Sequence, residues 1–328
     1  MAFGWRSSSY VNMEECIRNR SAQRLVIRAG EEVIDMLVDF SSKHDILIRH
    51  KDGSYTPMDE PYYEVKQISQ NTWQIMSSGD YHYLAAGNDF AVAIDTGYGA
   101  GNLREFLERL CGKEVPWVIN THHHFDHSAN NCYFDKAYMG KEAVDKVSVP
   151  YKSFEGMDFF KDSYVKQVVG TGDVLAIPGR SFRFFRIGDH TEDGIAILDQ
   201  ENRMLFTGDE FMPGMKNFSG SVSAWKEKLD LILPYRKDFD FLCGGPEILP
   251  AEEFDIFYEA AEKIIAGEKS ESPTERGNHP PREQKNYNGH RVYDCQMPHV
   301  EDIPKGGFGN QSKKQFVYKN HVFHYGKI

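Results

Sequence analysis

Residues 120–131 read NTHHHFDHSANN, with four histidines and one aspartate between His122 and His127. Imidazole and carboxylate are the donors that zinc takes up in a compact shell. His122 and His124 are two apart, which in an extended segment sends both side chains to one side, and Asp126 continues that alternation. His127 can join them from a loop or from the first turn of a helix. His123 and Phe125 face the other way and are not counted as ligands. Polar loops rarely concentrate imidazole like this, so the cluster reads as a metal site.

Two later stretches add to it. GDHTEDG (188–194) offers His190, and TGDEF (207–211) offers Asp209. Singly, a strand-end histidine is more often a satisfied polar residue, and an aspartate after Thr-Gly more often forms a turn. Their weight comes from standing in order behind the first cluster.

The elements that must position these residues follow from periodicity. YEVKQIS, TWQIMS, YHYLAAG and FAVAIDT read as a β-meander beginning near residue 62. NLREFLERLCG is a helix with Leu103, Phe106, Leu107 and Leu110 on one face and Gly112 as its C-cap. VPWVINT is a strand running into the histidines, which places them at a strand's C-terminal end, where α/β sheets hold their sites. Residues 140–147 read as a short helix. DVLAIPG, FRFFRIG, IAILDQ and RMLFTGD are strands, and WKEKLDLILPY and PAEEFDIFYEAAEKIIAG are amphipathic helices. Apolar spacing over 11–50 predicts a helical N-terminal segment. After Gly267 the chain turns polar and rich in Pro and Gly, and QFVYKNHVFHYGKI at its end predicts a β-hairpin turning at Lys319-Asn320. The reading is an N-terminal extension (1–60), a central domain (61–267) and a C-terminal extension (268–328).

In this order, His122-x-His124-x-Asp126-His127, His190 in DHT and Asp209 in LFTGD resemble the signature of the metallo-β-lactamase-fold hydrolases, and Asp95 in AIDTGYG resembles that family's earlier structural aspartate. The resemblance covers roughly 62–267. It implies an α/β architecture, an αββα sandwich of two mixed sheets flanked by helices, with metal at one edge. It implies one zinc held by His122, His124 and His190. A second would be held by Asp126, His127 and Asp209, with Asp209 bridging; iron or manganese are the other candidates. Such ions polarise a carbonyl or phosphoryl oxygen and lower the pKa of water to about 7, and Asp126 would orient that water or take its proton. The implied activity is cleavage of a lactone, ester, thioester, amide or β-lactam bond. Two alternatives stand beside it: a mononuclear iron redox enzyme of the same fold, similar to the sulfur dioxygenases, and a non-catalytic metal-binding protein.

One family feature is missing. The late histidine of a PGHG-like turn has its counterpart in LCGGPEILP (242–250), where Pro246 stands about where the histidine belongs. The second set then lacks a ligand, unless Glu247, water or one of His279, His290 and His299 supplies it.

Substrate selection falls to loops. The stretch 148–166 carries Tyr151, Phe154, Phe159, Phe160 and Tyr164, and the loop after Asp209 carries Phe211, Met212, Met215 and Phe218. Such side chains suit an apolar or aromatic small molecule, and serve equally for core packing or a homodimer contact. Lys216 is a candidate partner for a substrate anion. A net charge of −11 argues against nucleic acid as partner. No run of about 18 apolar residues predicts a membrane span. Five scattered cysteines without a CxxC pair fit free thiols in a reducing cytoplasm.

Overall fold

The computed structural model describes residues 63–77, 80–97, 102–148, 164–245, 247–271 and 313–328, and the backbone of four short strands nearer the N-terminus. Those four correct the helical expectation for 11–50. β1 (Gln23–Ala29) pairs antiparallel with β2 (Glu32–Val38), and β3 (Leu47–Arg49) with β4 (Tyr55–Pro57). The apolar positions counted as one helical face lie across two β-branched runs separated by two residues, a hairpin spacing.

The first large sheet lies in chain order. It comprises β5 (Glu64–Ser69), β6 (Thr72–Ser77), β7 (Asp80–Ala86), β8 (Ala91–Ile94), β9 (Trp117–Ile119), β10 (Lys136–Met139) and β11 (Val165–Val168). Antiparallel pairing from β5 to β8 gives way to parallel pairing from β8 to β11. Parallel neighbours need a crossover, and helix α1 (Leu103–Cys111) supplies it between β8 and β9. Asn102 caps that helix through the Glu105 amide, and Gly112 closes it in the left-handed region at φ 68°. β10 and β11 escape the sequence reading because both are four residues long and flanked by loops. The helix expected over 140–147 is a single 3-10 turn, Lys141–Ala143.

The second sheet has the order β12 (Val174–Ile177), β13 (Arg180–Arg186), β14 (Ile195–Asp199), β15 (Met204–Gly208), β17 (Phe241–Gly244) and β18 (Ile248–Pro250). Only β15 and β17 run parallel. Helix α3 (Val222–Ile232) connects them, and α4 (Glu252–Ile265) follows β18.

Side-chain alternation decides the layers. In β8, Val92 and Ile94 point between the sheets and Ala91 and Ala93 point to α1. In β14, Ile195 and Ile197 enter the inter-sheet core, while Ala196 and Leu198 meet α3 and α4. Period-two burial on both faces of both sheets gives three apolar layers, the αββα sandwich. Among the described residues no helix is long and apolar enough to cross a membrane.

A third, small sheet orders β16 (Met215–Asn217), β20 (His321–Tyr325) and β19 (Lys314–Tyr318). Lys319 and Asn320, at φ 46° and 64°, form the turn of the C-terminal hairpin. Phe316 and Phe323 bury against the α3/α4 layer, and His321 Nε2 sits 2.6 Å from Glu253 of α4.

Two stability tests follow. Arg180 is buried and bonds Asp199, Thr72 Oγ1 (2.8 Å) and Asn71 O (2.8 Å), so it ties β13 to the β5–β6 turn. Replacing one partner leaves the other charge buried and unpaired, so Asp199→Ala should lower unfolding stability by about 3–5 kcal/mol in a urea titration. For His321, burial alone would lower the pKa, but the bond to Glu253 raises it above the ordinary value. A raised folded-state pKa stabilises fully below about pH 6.5 and loses that contribution as pH climbs through the folded value. The melting-temperature gap between wild type and His321→Gln should therefore be widest near pH 6 and close at alkaline pH.

Candidate metal centre

The site forms where five strands end on one edge. β8 delivers Asp95, β9 delivers His122, β13 leads to His190, β15 to Asp209 and β17 to Gly245. The sheets are stitched there by backbone groups. Ile195 N–H donates to Thr121 O (2.8 Å), Tyr81 N–H to Gly245 O (2.8 Å), and Tyr83 Oη to Gly244 O (2.7 Å).

After His124 the chain stops being extended. Helix α2 (Phe125–Ser128) is one turn, so Asp126 and His127 lie on a helical turn; the alternation expected for Asp126 ends at His124. The Ser128 hydroxyl donates to His124 O (2.9 Å), and Asn120 Nδ2 donates to His127 O (2.9 Å). Phe125 anchors the turn by burying beneath the first sheet.

Two donor groups result, His122/His124/His190 and His122/His127/Asp209, each with ligand atoms within 4.8 Å of one another. His124 Nδ1 stands 3.1 Å from His190 Nε2. Asp209 faces both groups, Oδ1 lying 3.3 Å from His127 Nε2 and Oδ2 3.7 Å from His190 Nε2. Asp126 is buried, with Oδ2 3.6 Å from His127 Nε2.

Asp95 orients these groups. Its carboxylate accepts the Thr121 amide (2.7 Å), the Thr121 hydroxyl (2.7 Å) and His127 Nδ1–H (2.9 Å). Since Thr121 Oγ1 gives its proton to Asp95, it can only accept from His122 Nδ1, 3.1 Å away. Both imidazoles thus carry a proton at Nδ1, so that in the neutral form each presents its Nε2 lone pair. His122 Nε2, His127 Nε2 and Asp209 Oδ1 are buried without a hydrogen-bond partner. Proteins leave few buried polar atoms unsatisfied, and these three converge on one another, which marks a cation site. The imidazole and carboxylate donors fit zinc and other borderline divalent ions.

Electrostatics agree. Burial, with neighbouring imidazoles, holds His122 far below its usual pKa and His124 at about 3, which keeps them neutral ligands. Burial would also lower His127, but Asp209, Asp126 and Asp95 around it win and raise it well above the usual value. Asp209, despite burial, is lowered by His127. The carboxylate-rich half therefore seeks positive charge.

Gly245, the residue before the position singled out in the sequence, closes onto the second group. A Cβ there would stand 2.0 Å from Asp209 Oδ1 and 3.0 Å from His127 Cε1. The backbone at 245 approaches that group so closely that no side chain fits. Glu247 is exposed and joins neither group; Pro246, His279, His290 and His299 lie outside the described residues. Cys243 packs between the sheets, where burial pushes its thiol up.

Of the other candidates, His123 turns aside to bond Asp193 through Nδ1 (2.6 Å). Met212 and Met215 flank the turn at Gly214, with Met215 exposed. Phe218 is core, packed edge-on against Trp225 at 5.2 Å. Lys216 is buried between Asp189 and Glu210, so it is not the substrate-anion partner the sequence offered. Tyr151, Phe154, Phe159 and Phe160 lie outside the described residues. Sequence reasoning missed Thr121; its position beside His122 was the available signal.

Comparison with known proteins agrees with this geometry. A family model described as the metallo-beta-lactamase superfamily matches residues 81–239. An acyl-coenzyme A thioesterase MBLAC2 from Homo sapiens is 22% identical over 216 residues, covering 56% of this chain and 71% of that protein. An atrochrysone carboxyl ACP thioesterase from Cryptosporiopsis is 23% identical, covering 62% and 61%. A hydroxyacylglutathione hydrolase from Chromohalobacter salexigens is 30% identical over 129 residues, covering 39% and 45%. Among solved structures, the sec-alkylsulfatase Pisa1 from Pseudomonas superposes with a TM-score of 0.50 at 13% identity, covering 67% of this chain and 48% of that one. With the αββα layers and the ordered histidine and aspartate motifs already in place, residues 81–239 form a domain of the metallo-beta-lactamase superfamily.

Proposed function

We propose that the protein is a metal-dependent hydrolase of acyl bonds, with a thioester of a small apolar or aromatic acyl group as its preferred substrate. The observation that carries the reading is the convergence of the buried Nε2 atoms of His122 and His127, held by Thr121 and Asp95, with the Asp209 carboxylate. The thioester preference draws on the relatives named as thioesterases.

His122, His124 and His190 would hold the primary ion, with Asp209 reaching it from the second group. When bound, zinc supplies a Lewis acid for the acyl oxygen and acidifies water to near neutral pH. Asp126, a buried carboxylate on the one-turn helix, orients the attacking water and takes its proton as the new C–O bond forms. The C–S bond then breaks and the sulfur leaves as thiolate. A thiol's ordinary pKa of about 8.5 makes this a leaving group that needs no dedicated acid. His124, His190 and Asp209 are the part-exposed members of the site, so substrate enters from their side. Met212 and Met215, with the stretch bearing Tyr151, Phe154, Phe159 and Phe160, are proposed as the apolar wall for the acyl group.

Two outcomes test this. Purified protein should hold one tight zinc per chain, because the His127/Asp209 group receives no side chain from position 245. Chelation should abolish thiol release from aromatic and medium-chain acyl thioesters, and added zinc should restore it. Two tight ions per chain would contradict the single-site assignment, and one iron with oxygen uptake would sink the hydrolase reading. Asp126→Asn should leave the tight ion in place by metal analysis while kcat falls roughly 10²- to 10⁴-fold, the range for losing a general base.

A further inference from the structure

Among the described residues no backbone hydrogen bond joins the loops bearing His190 and Asp209 to each other, yet a buried charged cluster lies one residue from each. Glu210 Oε2 accepts the consecutive amides of Asp189 (3.2 Å) and His190 (3.1 Å). Its Oε1 takes Trp225 Nε1–H (2.6 Å) and the ammonium of Lys216. Lys216 Nζ also bonds Asp189 Oδ2 (3.1 Å) and Glu210 O (3.2 Å). The Asp189 carboxylate in turn receives the amides of Ser219 (3.1 Å) and Gly220 (2.8 Å). The Lys216 and Glu210 side chains are each only 3% exposed.

We infer that Glu210 is a positioning residue for the metal centre, setting His190 against Asp209, and that Lys216 locks it in place. The inference rests on the metal-centre reading above. Two carboxylates and one ammonium are costly to bury, and apolar residues of similar volume would stabilise such a space as well or better. What an apolar replacement cannot do is hold two successive amides of a ligand-bearing loop from the residue next to another ligand. The lock extends outward. Lys216 lies in β16, which pairs with β20 through Lys216↔Phe323, so the C-terminal hairpin braces the strand that holds the ammonium. The geometry of the third histidine thereby depends on a segment more than a hundred residues away in the chain.

The test uses the full chain stripped of metal. Zinc affinity is measured by competition with a chromophoric chelator, and the cobalt-substituted protein gives a visible d–d spectrum that reports ligand geometry. Glu210→Gln should bind zinc 10- to 100-fold more weakly and shift the cobalt bands, the usual scale for losing an outer-shell partner. Trp225→Phe, which removes only one donor to Oε1, should shift both in the same direction to a smaller degree, and it decides the matter should Glu210→Gln fail to fold. Wild-type zinc affinity and an unchanged cobalt spectrum in a folded variant would overturn the positioning role alone. Failure of the wild-type chain to bind either ion would overturn the metal-centre reading itself.

Discussion

The bond between the Asp95 carboxylate and the Thr121–His127 pair is the constraint on which the site depends. Asp95 stands in the left-handed region at φ 58°, where a non-glycine residue is tolerated mainly if it is Asp or Asn. Burial raises its pKa, and His127 and Thr121 pull it back. Three donors converge on this one carboxylate, and each fixes something different: the start of the histidine segment, the Thr121 hydroxyl, and the tautomer of His127. Through the hydroxyl it fixes the tautomer of His122 as well. The parallel pairing of β8 with β9, made by the α1 crossover, exists in functional terms to bring Asp95 and Thr121 together across 26 residues.

The site divides into two electrostatic halves that meet at His122 and Asp209. On one side, three imidazoles crowd together, and burial holds His122 and His124 neutral. On the other, His127 lies among three aspartates. A cation in the first half needs neutral nitrogen donors, and burial already keeps His122 and His124 in that state. The second half carries excess negative charge, which a proton on His127 or a cation can offset.

Much of this was legible in the sequence because the relevant signals are local. Strands buried on both faces, such as AVAI and IAILD, show as apolar runs, and the histidine segment shows as composition. The rest depended on long-range contacts. The N-terminal hairpin was misread because two short apolar runs mimic a helical period when counted together. Asp126 reads as a continuation of the extended alternation because nothing in HHHFDH announces that the helical turn allowed for His127 begins before Asp126; the Ser128 hydroxyl and the Asn120 amide that stabilise the turn act through backbone carbonyls. Lys216 looked like a free cation because its two carboxylate partners are six and twenty-seven positions away.

The missing ligand shows what a structure adds to a motif. By alignment of letters, Pro246 replaced a histidine, and the loss looked like one substitution. Among the described residues, a Cβ at Gly245 would meet Asp209 and His127, and the Gly245 backbone is held by Gly208 O on one side and Tyr81 N–H on the other. Gly208 is itself constrained, with φ 52° and no room for a Cβ beside Thr121. Two glycines on adjacent parallel strands thus let the ends of β15 and β17 close onto the site by backbone alone. A histidine restored at 245 would first have to push that backbone away from Asp209. The packing of the strand ends therefore leaves no room for a side chain at 245, and the group of His127 and Asp209 faces backbone there.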